Sequence, residues 1–92
     1  MEKLNEQAPK NIRMTLREYI KESFLPSSGI KSFNDDDSFL EKGIIDSTGV
    51  LELLEFIEDN FKIRVEDVEI VPDNLDSLDK LTSFISKKLS SC

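Results

Sequence analysis

The sequence predicts an all-α fold: a small bundle of three main helices plus one short helix, with a long loop between the first and second helices. Three observations carry this. Apolar residues recur at three- and four-residue spacing in three separate stretches. No alternating apolar–polar run is long enough to establish a sheet, and no internal repeat is present. The chain has 92 residues, which suits one domain with one modest core. The expected division is a disordered extension at 1–10, a single domain at 11–89 and a short tail at 90–92.

Taken in order, Ile12, Leu16, Tyr19, Ile20 and Phe24 share one side of a helix expected over about Asn11–Leu25. Pro26 is expected to stop it, and Ser27, Ser28 and Gly29 extend the break. Residues 26–46 then form a connection long enough that it must pack or work. Ile30, Phe33, Phe39, Leu40, Ile44 and Ile45 are its expected anchors. Asn34–Asp37 resembles the start of a calcium loop, but Phe39 stands where such a loop needs its sixth-position glycine. The second main helix is expected from Ser47 to about Phe61, with Asp46 as N-cap. Between Arg64 and Leu75, Val65, Val68, Ile70 and Val71 are the expected apolar contacts, and Asp73–Leu75 suits one helical turn. Asp76 or Ser77 would cap a last helix to about Leu89, with Leu78, Leu81, Ile85 and Leu89 as its stripe and Phe84 beside it.

Composition excludes several functions. The chain has no histidine, so the commonest general base, the usual partner of a nucleophilic serine and the commonest transition-metal ligand are all missing. A self-contained enzyme is not expected, and neither is a metal site. The single cysteine, Cys92, cannot form an internal disulfide. No apolar run approaches the ~20 residues of a membrane span, and the first ten residues are too polar for a secretory signal. The expectation is a cytoplasmic monomer.

The net charge of −7 is unevenly spread. Residues 1–34 carry six bases against four acids, whereas residues 46–80 carry eleven acids against three bases. Such a field repels nucleic acid and anionic membrane and attracts basic protein surfaces.

The second helix concentrates this charge. At about 100° per residue, Val50, Leu53, Leu54, Ile57 and Phe61 form a core face, while Glu52, Glu55, Glu58 and Asp59 occupy another arc. Like charges at helical spacing oppose stability, and the helix dipole opposes the two nearest the C-terminus. Leu51 projects into the acidic arc, with Ser47 one turn before it. The arrangement is either a solvated acidic face with one stray leucine or a docking surface with charge for steering and an apolar anchor.

For Ser47 the residues alone leave two readings: an ordinary first-turn serine, or a serine presented for modification. The free N–H groups and positive dipole end of a helix N-terminus suit an attached phosphate. Asp46 beside it could hold a divalent cation during phosphoryl-group transfer.

Asp46-Ser47 with the acidic helix after it, and the stretch SFLEKGIIDS leading into it, resemble the attachment site of acyl carrier and peptidyl carrier proteins. Leu53, Glu58 and Phe61 also stand where such proteins carry comparable residues, and the resemblance spans about Asn11–Leu89. It implies an acyl-carrier-like bundle in which Ser47 carries covalent 4′-phosphopantetheine from coenzyme A. A phosphopantetheinyl transferase would attach it, with Asp46 as the flanking contact for that enzyme and its metal. It further implies loading by an adenylating acyl or amino-acid ligase or an acyltransferase, and delivery to downstream synthase or tailoring enzymes. Fatty acid, polyketide and nonribosomal peptide synthesis all use such carriers. Thr48, Leu51, Glu52, Glu55, Glu58 and Asp59 would meet these partners. The alternative is an unmodified acidic helical adaptor that binds one basic partner.

Two positions depart from the fatty-acid carriers. Thr48 stands where many of them have a leucine, and Gly49 where they usually have an acid. Glycine costs up to ~1 kcal/mol against alanine inside a helix, so Gly49 is expected to weaken the first turn. Both departures favour a dedicated carrier in a specialised pathway.

Overall fold

The first apolar stripe folds as α1, Pro9–Ser23, in a computed structural model that describes residues 9–91. Ile12, Leu16 and Ile20 are fully buried along it, and α1 packs against the last helix. The extension expected at 1–10 lies, for residues 1–8, outside the described residues, as does Cys92. Pro9 and Lys10 already belong to α1.

Pro26 does not end α1. The helix closes at Ser23, and Leu25–Ser28 make one further turn, α2, with Pro26 near its start. Proline is tolerated there because its missing N–H would have no partner within the helix. Gly29, at φ 78°, then turns the chain away.

The long connection contains its own element, α3, Phe39–Lys42. Four residues cannot hold a helix by propensity, so the fastening comes from elsewhere. Ser38 Oγ accepts from Glu41 N at 3.1 Å. Asp76, across the molecule, accepts from Ser38 Oγ at 2.5 Å and from Leu40 N at 3.0 Å. Phe33, Phe39, Ile44 and Ile45 enter the core, and Ile30 packs against it. Leu40, expected to anchor, is instead 48% exposed.

Two of the three aspartates beside α3, Asp35 and Asp37, make internal contacts. Asp35 pairs with Arg13 at 2.9 Å and with Arg17, and Asp37 accepts from Asn34 N at 2.8 Å. Arg13 also reaches Asp79 at 2.5 Å, so the loop is tied to the first and last helices. Among the described residues, no three metal-binding side chains gather.

α4 runs Ser47–Phe61 as expected, burying Leu53, Leu54, Ile57 and Phe61. Lys62 ends it in the left-handed region at φ 58°. A 3₁₀ turn at Asp67–Glu69 and α5, Pro72–Leu75, follow. Val68, Ile70 and Val71, expected as core contacts, stand exposed because this segment lacks a helical period to turn them inward. Leu75 is its buried anchor.

α6 spans Leu78–Ser91, so residues 90 and 91 continue the helix where a tail was expected. Ser77 is its cap, accepting from Lys80 N at 3.1 Å, while Asp76 serves α3. Leu78, Leu81 and Ile85 are fully buried. No strand occurs, and no helix is long and apolar enough to cross a membrane, among the described residues.

The 64–71 segment is held by two carboxylates. Glu58 accepts from Val65 N at 2.8 Å, and Glu69 takes Lys88 Nζ at 2.9 and 3.1 Å. Glu69 also accepts from Glu66 N at 2.9 Å. That backbone bond first, and the lysine second, hold the Glu69 carboxyl below its ordinary value. A depressed carboxyl stabilises the fold above its unfolded pKa and loses that contribution as pH falls through its folded pKa. We expect Glu69→Gln to be less stable than wild type at neutral pH, with the gap narrowing at acid pH as the Glu69 carboxyl takes up its proton. Urea melts at neutral and acid pH measure it, and an unchanged gap would contradict the contact.

Candidate functional site

The start of α4 is built to hold a side chain outward. Asp46 is extended (φ −99°, ψ −176°), and its Oδ1 accepts from Gly49 N at 2.8 Å. Asp46 O receives Val50 N at 3.0 Å. Ser47 is the first helical residue, so its N–H and that of Thr48 have no acceptor within the helix. Ser47 is exposed, and its hydroxyl makes no hydrogen bond among the described residues.

Gly49 closes the turn from beneath. It is buried, and a Cβ there would lie 2.9 Å from Phe24 Cε1 and 3.0 Å from Ile45 Cγ2. The residue that weakens the helix by propensity is therefore what lets α4 begin directly on the core.

Around this turn, Thr48, Leu51, Glu52, Glu55 and Asp59 are exposed, Leu51 by 67%. Glu58 departs from the expected docking row. It is half-buried, and its carboxylate is occupied by Val65 N, so it positions the chain after α4.

The sequence reading missed two features. Tyr19 of α1 stacks on Phe56 of α4, with centroids 3.8 Å apart and planes 7° off parallel, and its hydroxyl donates to Glu52 O at 3.3 Å. Burial first, then the Glu52 carboxylate, raises the Tyr19 hydroxyl above its ordinary pKa and keeps it a donor. This pair fixes the edge of α4 that carries Glu52, Glu55 and Asp59. The second feature is an apolar groove of about 140 Å³ beside the α4 start, walled by Ile45, Val50, Leu53, Ile70, Val71 and Leu75. Its only sequence signal was the set of apolar residues in 64–75 that fit no helix.

Chemically, the arrangement offers a free hydroxyl at a helix N-terminus and no imidazole to activate it. It suits a serine acted upon by another enzyme. The chain matches no family model and none of the curated proteins it was compared with.

Proposed function

We propose that this chain is a carrier: Ser47 bears 4′-phosphopantetheine, and the protein delivers the attached intermediate between partner enzymes. The observation that carries the reading is the exposed, unbonded Ser47 hydroxyl on the first turn of α4, beside free N–H groups and a row of exposed carboxylates. The likeness of SFLEKGIIDS and the following helix to carrier attachment sites adds to it.

In the attachment step Ser47 Oγ loses its proton and forms a bond to the β-phosphorus of coenzyme A. The pyrophosphate bond breaks, and adenosine 3′,5′-bisphosphate leaves with the electron pair. The base and the metal-bound phosphates belong to the phosphopantetheinyl transferase. The residues fit the product: the unpaired N–H groups of Ser47 and Thr48 and the dipole end favour a phosphodiester there. Asp46, whose Oδ2 is free of the cap bond, faces the transferase. When bound, the group supplies a thiol that holds an acyl or aminoacyl cargo as a thioester. The ligase or acyltransferase that loads it, and the synthase or tailoring enzymes that receive it, are the further partners.

A carrier must be found and released quickly, which favours steering by charge over a large apolar interface. Glu52, Glu55 and Asp59 supply the field, and Leu51 and Thr48 the contact. Reversing Glu55 and Asp59 to lysine is expected to slow transferase association at least about tenfold at low salt, with little change in melting temperature. Stopped-flow rates across a salt series measure it; rates indifferent to both charge and salt would contradict the steering.

The reading is tested on protein isolated from the cells that make it. Intact mass should exceed the chain mass by one phosphopantetheine, with Ser47→Ala lacking the addition. An unmodified acidic adaptor gripping a basic partner through Leu51 would show the bare chain mass.

A further inference from the structure

Two depressions flank the start of α4, and their chemistry differs. The apolar groove has one charged residue in its wall, Asp76, and both its oxygens are occupied, Oδ2 by Ser38 Oγ and Oδ1 by Leu40 N. Apart from this already engaged carboxylate, the groove offers an amide only apolar side chains. On the other side, between α4 and the α1–α2 corner, lies a depression of about 330 Å³ to which Ser27, Asp46, Thr48 and Glu52 contribute. Ser28 also lines it, but its hydroxyl is spent, donating to Leu25 O and accepting from Ile30 N. The Ser27 and Thr48 hydroxyls and the Glu52 carboxylate make no hydrogen bond among the described residues, and the Gly49 bond takes only Oδ1 of Asp46.

We propose that this polar depression, and not the apolar groove, seats the pantetheine arm attached at Ser47; the proposal rests on the carrier reading above. The arm carries two amides, a hydroxyl and a pair of geminal methyls. An amide placed in the apolar groove leaves water for a wall that is almost wholly apolar, which is unfavourable. In the polar depression the amide N–H groups meet Asp46 Oδ2 and the Glu52 carboxylate. The amide carbonyls accept from the Ser27 and Thr48 hydroxyls. The methyls lie against Phe24 and Ile44, which form the apolar part of the same lining. Asp46 and Thr48, the neighbours of Ser47 in the chain, both line the depression. The seat also gives Thr48 a role that leucine could not perform.

The test uses protein loaded with the arm and confirmed by mass, with isotope-filtered NMR reading contacts from the arm protons. Expected are contacts from the methyls and methylenes to Phe24, Ser27 and Thr48. They should be lost in the Ser27→Ala/Thr48→Val double variant, both of whose sites are exposed, while the amide spectrum of α6 stays unchanged. Contacts to Ile70, Val71 and Leu75 instead, an arm without contacts, or contacts unchanged in the double variant would each overturn the seat and leave the carrier reading intact. A chain that gains no mass would remove the carrier reading, and the seat with it.

Discussion

Phe39→Ala is expected to lower the unfolding free energy by about 3–5 kcal/mol, a large part of what a small domain has in total. Phe39 is 2% exposed although it sits in a four-residue helix within the long connection. Its ring meets Phe33 edge to face, at 5.8 Å and 76°. Its N–H donates to Asp76 O at 3.0 Å, and its carbonyl accepts from Ile44 N at 2.9 Å and Ile45 N at 3.3 Å. The side chain and backbone thus fasten the connection from opposite sides. Removing the ring leaves a cavity under α3 and frees the segment that feeds into Ser47. Urea denaturation followed by circular dichroism measures the loss. A change below about 1 kcal/mol would show that the connection is held without Phe39.

Gly49→Ala is expected to destabilise, although helix propensity alone says the reverse. Alanine gains up to ~1 kcal/mol over glycine inside a helix. Its Cβ, however, would stand 2.9 Å from Phe24 Cε1, 3.0 Å from Ile45 Cγ2 and 3.3 Å from Asp46 Oδ1. Phe24 cannot swing clear easily, since Tyr19 packs on it at 5.7 Å, and Ile45 is 2% exposed. Overpacking of this kind costs about 1–3 kcal/mol, so the clash outweighs the propensity gain. The net loss should lower the melting temperature by several degrees. A rise would mean that Phe24 and Ile45 yield freely and that propensity governs the turn.

At Gly49 local pattern and tertiary packing point in opposite directions. The bounds of α4 were legible because Asp46 caps it and its apolar residues keep a 3.6-residue period. Ser47 at its start and Leu51 on its acidic side were placed correctly by the same periodicity. Gly49 was not, because a close approach by Phe24 leaves no trace in local pattern. Pro26 reads as a stop in the sequence, since proline inside a helix and proline opening one look alike without the neighbouring turn. Asp76 and Glu58 read as a cap and a docking charge, yet each satisfies backbone outside its own element, Leu40 N and Val65 N respectively. Val68, Ile70 and Val71 were apolar but aperiodic, and such residues do not announce which way they face.

The most direct measurement is intact mass after incubating the chain with coenzyme A, magnesium and a broad-specificity phosphopantetheinyl transferase. A gain of one phosphopantetheine is expected, localised by peptide fragmentation to Ser47 and absent from Ser47→Ala. A chain that stays at its starting mass, while a known carrier in the same tube is converted, would contradict it.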